Sequence, residues 1–566
     1  MSGLFNKASL VLVPSGYKAG KVYSQVPTDG GGDLTFTRAS SATRVNSDGL
    51  IEKVRTNLAL YSEQFSVLYS AINASITNNT TSAPNGTTTA DSLLETTATD
   101  VHFVYTDYIQ SSGVQYTYSV YIKSISGRNV RISGSSGFTG PAALVDLSNG
   151  TLLSGSTGAS VASVGGGWYR ISLTATTTTT QVRVIIYSMN GTETTFAGST
   201  SNGIYAWGAQ LETGSTATEY IPTTNSARTT FAGITQDGTS ASNVPRLDYS
   251  QGSCPALLLE PQRTNLVTYS EYIDNAIWTK QSGVSVTANQ TISPDGTQNA
   301  DLVVGDGSSG IFQSGKTVST TVANTKSVYL KGVSGGEVVR LQDPNQTIGF
   351  TVCTLTTSWQ RFTLSEVQSG GSAGLWVTLI PSGGIYIWGA QLEQGAYATS
   401  YIPTTSATVT RLSDVFSRNN IYTNGLITSS GGTWFVELKN NIIYTRDIST
   451  FSFFIGDTSS GTTNSILFRN QNTTARLTIA RFISGAFGVL YNTTSDNVKL
   501  AIKWNGSTLD IFANGVKVVN GSAFTPTIMN FLATTAGTRD VPTFIQAMQL
   551  FPTPLSDSDC TQLTTL

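Results

Sequence analysis

The sequence has few of the residues that carry most protein chemistry. Its 566 residues include one histidine and three cysteines, and only 12% are charged, with 32 Lys and Arg against 34 Asp and Glu. Neutralising nucleic-acid phosphates needs a surplus of clustered cations, so we expect no nucleic-acid partner. Cys254, Cys353 and Cys560 lie too far apart in the sequence for a CxxC metal or redox motif, and a disulfide framework is not expected.

Long apolar runs are also missing. No window approaches the roughly 18 consecutive apolar residues that a membrane helix needs, and the N-terminal stretch lacks the apolar region and cleavage site of a secretory signal. We therefore expect no membrane insertion, and we expect synthesis in a cytoplasm without a Sec-type export signal.

The residues that are abundant predict an all-β protein. Hydrophobic residues make up 39% of the chain, which is too many for a disordered protein. Its 55 glycines, together with frequent Ser, Thr and Asn, favour strands and turns over helices. At roughly 100 to 200 residues per domain, the length predicts about three to five domains.

Two parts of the sequence repeat one another. TNLALYSEQF at 56–65 returns as TNLVTYSEYI at 264–273, and IYAWGAQLETGSTATEYIPTT at 204–224 returns as IYIWGAQLEQGAYATSYIPTT at 385–405. Both copies contain apolar and polar residues in alternation between turn residues, which is typical of half-buried antiparallel strands. Each copy is therefore predicted to form a β-sandwich of the jelly-roll type.

These patterns predict three tandem β-sandwiches, at 59–225, 267–405 and 406–566. Residues 1–58 and 226–266 are rich in turn residues, and we expect them to be irregular and to pack against a sandwich, another subunit or a larger assembly. In a chain with few charges they carry a series of arginines: Arg38, Arg44, Arg55, Arg228, Arg246 and Arg263.

Candidate catalytic groups are scarce. His102 is the only imidazole and lies in a strand-like pattern, so we expect a structural role for it. Of the carboxylate pairs that could cleave a glycoside, Asp557 and Asp559 fit the first turn of a short terminal helix, and Asp237 and Asp248 fit turns. We expect no catalytic residue and no cofactor.

Calcium is the remaining ion to consider, because many sandwich lectins hold one between loop carboxylates and carbonyl oxygens. Asp91 and Asp301 occupy equivalent positions in PNGTTTAD and PDGTQNAD, but one acid in each copy does not make a calcium site. No metal ligands are therefore predicted.

Aromatic residues are the remaining candidates, because a flat ring can stack on a sugar. The matched pairs Trp168 with Trp359 and Trp207 with Trp388, and also Trp434 and Trp504, lie in apolar strand patterns and predict core positions.

Trp278 and Trp376 have no counterpart in the first repeat, so they are better candidates for exposure and glycan binding than the other tryptophans, although packing in the core is the favoured alternative for both. Asn505 and Asn514, in predicted hairpin loops of the third sandwich, are added because loops at the ends of sandwiches commonly hold binding sites.

Several stretches resemble known proteins. PSGYKAGKVYSQVPTDGGGDLTFTRASSATRVNSDGLIEKVRTNL at 14–58 resembles the N-terminal module of fibre and appendage proteins of tailed bacteriophages, including those of Bacteroidetes and crAss-like phages. NVPRLDYSQGSCPALLLEPQRTNLVTYSE at 243–271, with WGAQLEQGAYATSYIPTTSATVTR at 388–411, is similar to a module of phage head-spike, head-fibre and tail proteins. The two repeats resemble carbohydrate-binding-module jelly rolls, and 430–566 resembles concanavalin A-like or laminin G-like lectin domains.

The resemblance implies a structural virion protein on the exterior of a phage particle, as a head fibre, head spike or tail appendage. It implies a non-enzymatic homotrimer in which residues 1–58 attach to capsid or tail proteins and the C-terminal sandwich, lying distal, recognises host-surface glycans. A polysaccharide depolymerase is the alternative, and a bacterial adhesin is a third. Placement on head or tail stays open.

Overall fold

The computed structural model describes residues 2–344, 349–428, 431–439, 451–457, 463–469, 477–495, 497–524, 529–534 and 543–565. Antiparallel strands dominate these residues, which confirms the all-β class. The helices are short and peripheral: Ser2–Phe5, Phe65–Leu68 and Asp557–Thr564.

Sandwich 1 comes from the first repeat. Its described residues form sheets of six and seven strands around a shared apolar core. The first sheet contains, in spatial order, Ala159–Gly165, Trp168–Thr176, Gln115–Ile125, Gly203–Thr213, Ala90–Glu95 and Ala74–Thr81. The second contains Thr151–Leu152, Ala142–Asp146, Asn129–Ser135, Gln181–Met189, Thr99–Ile109 and Thr195–Ala197, with Ser70–Ile72 also paired to Thr99–Ile109.

Sandwich 2 comes from the second repeat, and its described residues form two sheets of five strands. The first contains Ser285–Thr291, Ala300–Val304, Ile385–Gln394, Asn324–Gly332 and Gln360–Glu366. The second contains Thr279–Lys280, Gly310–Thr317, Ser372–Thr378, Val338–Gln342 and Phe350–Thr354.

Sandwich 3 draws strands from three distant parts of the chain. One sheet contains Arg246–Asp248, Ala256–Leu259, Thr543–Phe551, Gly432–Lys439, Val498–Trp504, Thr508–Ala513 and Val516–Ala523, with Leu10–Leu12 also paired to Thr543–Phe551. The other contains Tyr17–Lys18, Lys21–Val22, Leu34–Thr37, Val415–Asn419, Phe531–Thr534, Phe451–Gly456, Ser465–Arg469, Leu477–Ile483 and Ala486–Thr493.

Short ladders also form within and between the connecting segments. Their strands are Ile234–Asp237, Arg228–Phe231 and Arg55–Asn57 in one ladder, Arg263–Asn265 and Val409–Arg411 in a second, and Arg44–Val45 and Ile51–Glu52 in a third.

The expectation that residues 1–58 are irregular is wrong, whereas the expectation that they pack against a sandwich is confirmed. Leu10 and Leu12 are fully buried in the core of sandwich 3, together with Leu34 and Phe36. The same holds for 226–266, whose strand Ala256–Leu259 joins that sandwich. These strands are too short to show a periodic pattern, and their hydrogen-bond partners come from the far end of the chain, so local sequence did not reveal them.

A buried network of charges joins these segments. Arg38 donates to Asp414 at 2.7 Å, and Arg246 pairs with both Asp414 and Glu260. Arg411 lies 2.9 Å from Glu260. All five side chains are almost completely buried, and buried charges persist only when they are paired. The network therefore connects 1–58, 226–266 and the start of 406–566.

Burial and ion pairing shift the pKa values of these groups in opposite directions. Burial would raise the pKa of Glu260, but the charges of Arg411 and Arg246 outweigh it and hold that pKa well below its usual value. The pKa of Asp414 is lowered in the same way by Arg246 and Arg38. Burial lowers the pKa of Arg38 to about 10 despite the opposing charge of Asp414, so all these groups are ionised at neutral pH.

The two repeats use the same polar anchors. Asn57 in sandwich 1 donates to the carbonyl of Ala209 at 3.0 Å, and Asn265 in sandwich 2 donates to the carbonyl of Ala390 at 3.1 Å. Each asparagine also accepts backbone N–H groups of its own sandwich. The asparagine of the repeated TNL motif thus joins the same backbone segments in both copies.

Candidate functional site

Trp278, selected as a candidate for exposure, is a core residue. It is 2% exposed, belongs to the apolar cluster of sandwich 2, and its indole N–H donates to the carbonyl of Tyr269 at 3.0 Å. The expectation of a glycan-binding surface role is therefore wrong for Trp278. The turn before it folds back over the core, and a turn gives no alternation from which burial could be read.

Asn505 and Asn514 cannot belong to one site. They stand at opposite ends of the strand Thr508–Ala513, about 20 Å apart at roughly 3.3 Å per residue. Asn505 accepts the hydroxyl of Thr508 at 2.6 Å, and Asn514, with a φ of 47°, accepts the backbone N–H of Lys499 at 2.9 Å. Their side chains are engaged in shaping turns.

The core prediction holds for every tryptophan of the matched pairs and of sandwich 3 except Trp359. Trp207 and Trp388 are buried at matched positions, Trp434 and Trp504 lie in the core of sandwich 3, and Trp168 is buried. Trp359 is only half-buried, but its indole N–H donates to a backbone carbonyl, as that of its counterpart does.

The residues considered for catalysis have other partners. Asp557 pairs with Lys503 and Lys517, and Asp559 pairs with Lys7 at 2.9 Å. Both acids lie in the first turn of the terminal helix, as expected.

The second pair of acids lies at strand ends and not in turns. Asp237 pairs with Arg228 at 3.2 Å, whereas Asp248 is buried and accepts the N–H of Val45. His102 is buried between strands, with Nδ1 2.7 Å from the carbonyl of Asn73, which fits the expected structural role.

Trp376 lies in a row of side chains on the outer face of sandwich 2. The register places Phe312 beside Trp376, Trp376 beside Gln342, and Gln342 beside Phe350, across four adjacent strands. Ile311, Leu341 and Leu375, which are each next in sequence to a member of the row, face the core. Because successive side chains of a strand point to opposite faces of the sheet, the row points outward.

The row is accessible and rigid. Phe350 is 48% exposed, and Phe312 and Trp376 are half-buried with ring centroids 5.9 Å apart in an edge-on arrangement. The guanidinium of Arg340 lies 4.4 Å from the centre of the Phe350 ring. Aromatic and cation–π contacts of this kind hold side chains in place.

Sandwich 1 carries a related surface on the equivalent sheet. Phe103 pairs across strands with Tyr187, their rings 5.0 Å apart, and Tyr105 lies next to Phe103. Arg131 lies over Tyr187, and Arg183 lies 4.5 Å from the centre of the Tyr105 ring. All five side chains are half-buried on the outer face.

An acid completes the outer face of sandwich 1. Arg183 makes a two-pronged ion pair with Asp107, with both distances at 2.8 Å. These hydrogen bonds lower the pKa of the Asp107 carboxyl, with a smaller opposing effect of burial. A hydrogen-bonding carboxylate therefore stands beside the ring of Tyr105.

The two outer faces share a chemistry suited to sugars. Flat rings offer apolar area to the C–H face of a pyranose, while guanidinium, amide and carboxylate groups can bond its hydroxyls. Arg131 and Arg340 occupy matched positions in VRIS and VRLQ. Of the residues on these two faces, only Trp376 was selected from the sequence.

A cleft of about 460 Å³ lies between the N-terminal segment and sandwiches 1 and 2. Most of its charged lining is already paired: Lys53 with Glu271 and Asp295, and Arg411 with Glu260. Arg55 also lines the cleft. Because most of these charges satisfy one another, the outer faces with their aromatic rings are the better candidates for ligand binding.

Comparisons with known proteins return only structural likenesses. No family model and no curated protein matches the chain. Domain 4 of AbnA, a GH43 extracellular arabinanase from Geobacillus stearothermophilus in complex with arabinotriose, is 16% identical with a TM-score of 0.23, over 30% of this chain and 82% of that domain.

The N-terminal CBM22-1-CBM22-2 tandem domain of Xyn10C from Paenibacillus barcinonensis is 10% identical with a TM-score of 0.21, over 63% of this chain and all of that one. The Ruminococcus gnavus IT-sialidase CBM40 bound to α2,3 sialyllactose is 18% identical with a TM-score of 0.19, over 24% of this chain and 83% of that one. Likenesses this weak transfer no function to this chain.

Within the described ranges, no group of three or more His, Cys, Asp and Glu side chains is arranged to hold a metal ion. No described helix is long and apolar enough to cross a membrane.

Proposed function

We propose that this chain is a structural protein on the exterior of a tailed-phage particle, a fibre or spike that adheres to host-surface glycans without cleaving them. Adhesion uses the outer faces of sandwiches 1 and 2. The virion assignment is supported by the resemblance of 14–58 and 243–271 to phage fibre and spike modules.

The observation that carries the adhesion proposal is the row Phe312, Trp376, Gln342 and Phe350. A contiguous row of partly exposed aromatic rings on a sheet is a feature that often marks a binding surface. An amide between two aromatic groups provides the polar contacts that would orient a sugar chain laid across the strands.

Attachment to the particle and assembly into a homotrimer are parts of the same proposal. Because residues 10–37 are strands of sandwich 3, the N-terminal segment and the C-terminal sandwich form one unit. We therefore propose that this unit contacts capsid or tail proteins, and that sandwiches 1 and 2 carry the adhesion that was expected of the C-terminal sandwich.

The test is a calorimetric titration of the full chain with oligosaccharides prepared from the host's surface polysaccharides. Trp376→Ala should lower the affinity at least tenfold while leaving the melting temperature within a few degrees. Trp359→Ala is the matched control, because Trp359 is a half-buried tryptophan on the other sheet of the same sandwich, and its affinity should stay unchanged.

Equal losses in both variants, or no saturable binding by the wild-type chain, would contradict adhesion through this face. Release of reducing ends from the polysaccharide would instead support the depolymerase alternative.

A further inference from the structure

In sandwich 2, a surface at one end is covered by a segment from elsewhere in the chain. We call residues 49–53 the strap. The N–H of Ile51 donates to the carbonyl of Pro294 at 2.9 Å, and the Ile51 side chain packs with Trp388 and Tyr401. The strap thus lies across the turn formed by 293–297.

Charge holds the strap in place as well. The ammonium of Lys53 lies 2.7 Å from Glu271 and 2.5 Å from Asp295. It also lies 5.5 Å from the centre of the Trp388 ring. An apolar side chain and a cation, two residues apart in an extended segment, therefore recognise this surface.

Sandwich 1 has the same turn. Gly86 in sandwich 1 and Gly296 in sandwich 2 have φ values of 86° and 82°. Each donates its N–H at 3.0 Å to the carbonyl three residues earlier, of Ala83 and Ser293 respectively. The backbone that receives the strap in sandwich 2 is thus reproduced in sandwich 1.

The acceptor for the cation is also reproduced. Tyr220 donates to Glu63 at 3.1 Å in sandwich 1, as Tyr401 donates to Glu271 at 3.1 Å in sandwich 2. Asn85 replaces Asp295, so the first copy offers one carboxylate and an amide to a cation.

In sandwich 1 this surface is open. A side chain placed on Gly296 would meet Leu50 of the strap at 2.9 Å, whereas at Gly86 no atom lies within 4 Å. Glu63 is half-exposed where Glu271 is 8% exposed. Among the described residues, Glu63 has no ion-pair partner.

The strap of sandwich 2 comes from the segment that precedes sandwich 1. The segment that precedes sandwich 2 instead adds the strand Ala256–Leu259 to sandwich 3.

We infer that sandwich 1 docks a strap-like segment of a separate polypeptide. The segment is extended, places an apolar side chain over the turn 83–87, and places a Lys or Arg side chain against Glu63. A second copy of this chain is the less suitable source, because its own strap is already held on its own sandwich 2.

The test uses a synthetic peptide of residues 46–55, NSDGLIEKVR, added to the full chain and followed by calorimetry. The peptide should bind with one site per chain, and Glu63→Lys should weaken binding at least tenfold. A peptide carrying Lys53→Glu should bind poorly to the wild-type chain and recover affinity for the Glu63→Lys chain. Glu193→Lys, at an exposed acid elsewhere on sandwich 1, should leave peptide affinity unchanged.

Melting temperatures of the Glu63→Lys and Glu63→Gln chains establish that both variants fold. The inference is overturned if the peptide shows no saturable binding, or if its affinity is the same for the wild-type chain and both Glu63 variants. Concentration-dependent self-association of the wild-type chain that Glu63→Lys abolishes, without peptide binding, identifies a second copy as the occupant and overturns the assignment to a separate polypeptide.

Discussion

Arg38 and Asp414 are 376 residues apart in the sequence, yet their side chains form an ion pair of 2.7 Å that is closed to solvent. The pair fixes the end of the N-terminal strands against the start of the C-terminal part of sandwich 3. Arg246 shares the same carboxylate, so the contact is one edge of a network and not an isolated pair.

Arg38→Ala should lower the free energy of unfolding by about 3–5 kcal/mol, because it leaves buried charge without its partner. Arg183→Ala is the control, since the pair of Arg183 and Asp107 is partly exposed and such pairs contribute about 0–1 kcal/mol. Urea unfolding of both variants measures the difference, and equal losses would show that the network does not hold the segments together.

Stability should fall at low pH, in part through Glu260. Its pKa in the folded chain is held below its usual value of about 4.3, so the stabilisation is complete at neutral pH and is lost as the pH falls from about 5 toward the folded-state pKa. Glu260→Gln removes this titration. Its unfolding free energy, though lower at pH 7, should decline less between about pH 5 and pH 2 than that of the wild type. Parallel curves for the two proteins would contradict the role of Glu260.

Residues 406–566 expressed alone should not fold. The fragment lacks Leu10–Leu12 and Ala256–Leu259, which pair with Thr543–Phe551 in the full chain, and it lacks the core side chains of Leu34 and Phe36. We expect the fragment to show the fluorescence emission of solvent-exposed tryptophan and to lack a cooperative thermal transition. A fragment that melts cooperatively would show that the N-terminal strands are dispensable.

Trp388→Ala should cost about 3–5 kcal/mol of unfolding free energy, as expected for a large core aromatic side chain. It should also release the strap, because Ile51 packs on Trp388 and Lys53 lies over its ring. Limited proteolysis at Lys53 should therefore become faster in Trp388→Ala and not in Trp207→Ala, whose ring has no strap. Loss of glycan affinity with an unchanged melting temperature would instead indicate a binding role for Trp388.

Sequence alone was sufficient for the parts of the fold that are repeated in the chain or that carry a local signal. The repeated motifs located sandwiches 1 and 2, and the burial of Trp207 and Trp388 follows from apolar strand patterns that occur twice. The terminal helix followed from the two acids Asp557 and Asp559, and the structure shows that Ser556 caps it.

What the sequence did not reveal depends on pairing at long range. Leu10–Leu12 is stabilised by pairing with Met548 and its neighbours. A strand of three residues carries too little sequence pattern to identify so distant a partner. The outer faces were missed for a different reason: the exposure of Phe103 or Phe312 depends on which side of the sheet the core occupies, and alternation alone leaves both sides equivalent. The similarity of RVNSDG at 44–49 to RLDYSQG at 246–252 could have indicated that the connecting segments resemble each other as well.

The closure of sandwich 3 by both ends of the chain has a consequence for biosynthesis. Ser9 bonds the carbonyl of Leu550, 541 residues away, and ribosomes add roughly 5–20 residues per second. The first strands to leave the ribosome therefore wait about half a minute to two minutes for their partners, with unpaired edges open to other chains. Because Lys7 and Asp559 are in contact at 2.9 Å, a circular permutant that joins the two ends and starts between sandwiches 2 and 3 would let these strands emerge close together in time. Such a permutant should yield more soluble protein when synthesis is fast.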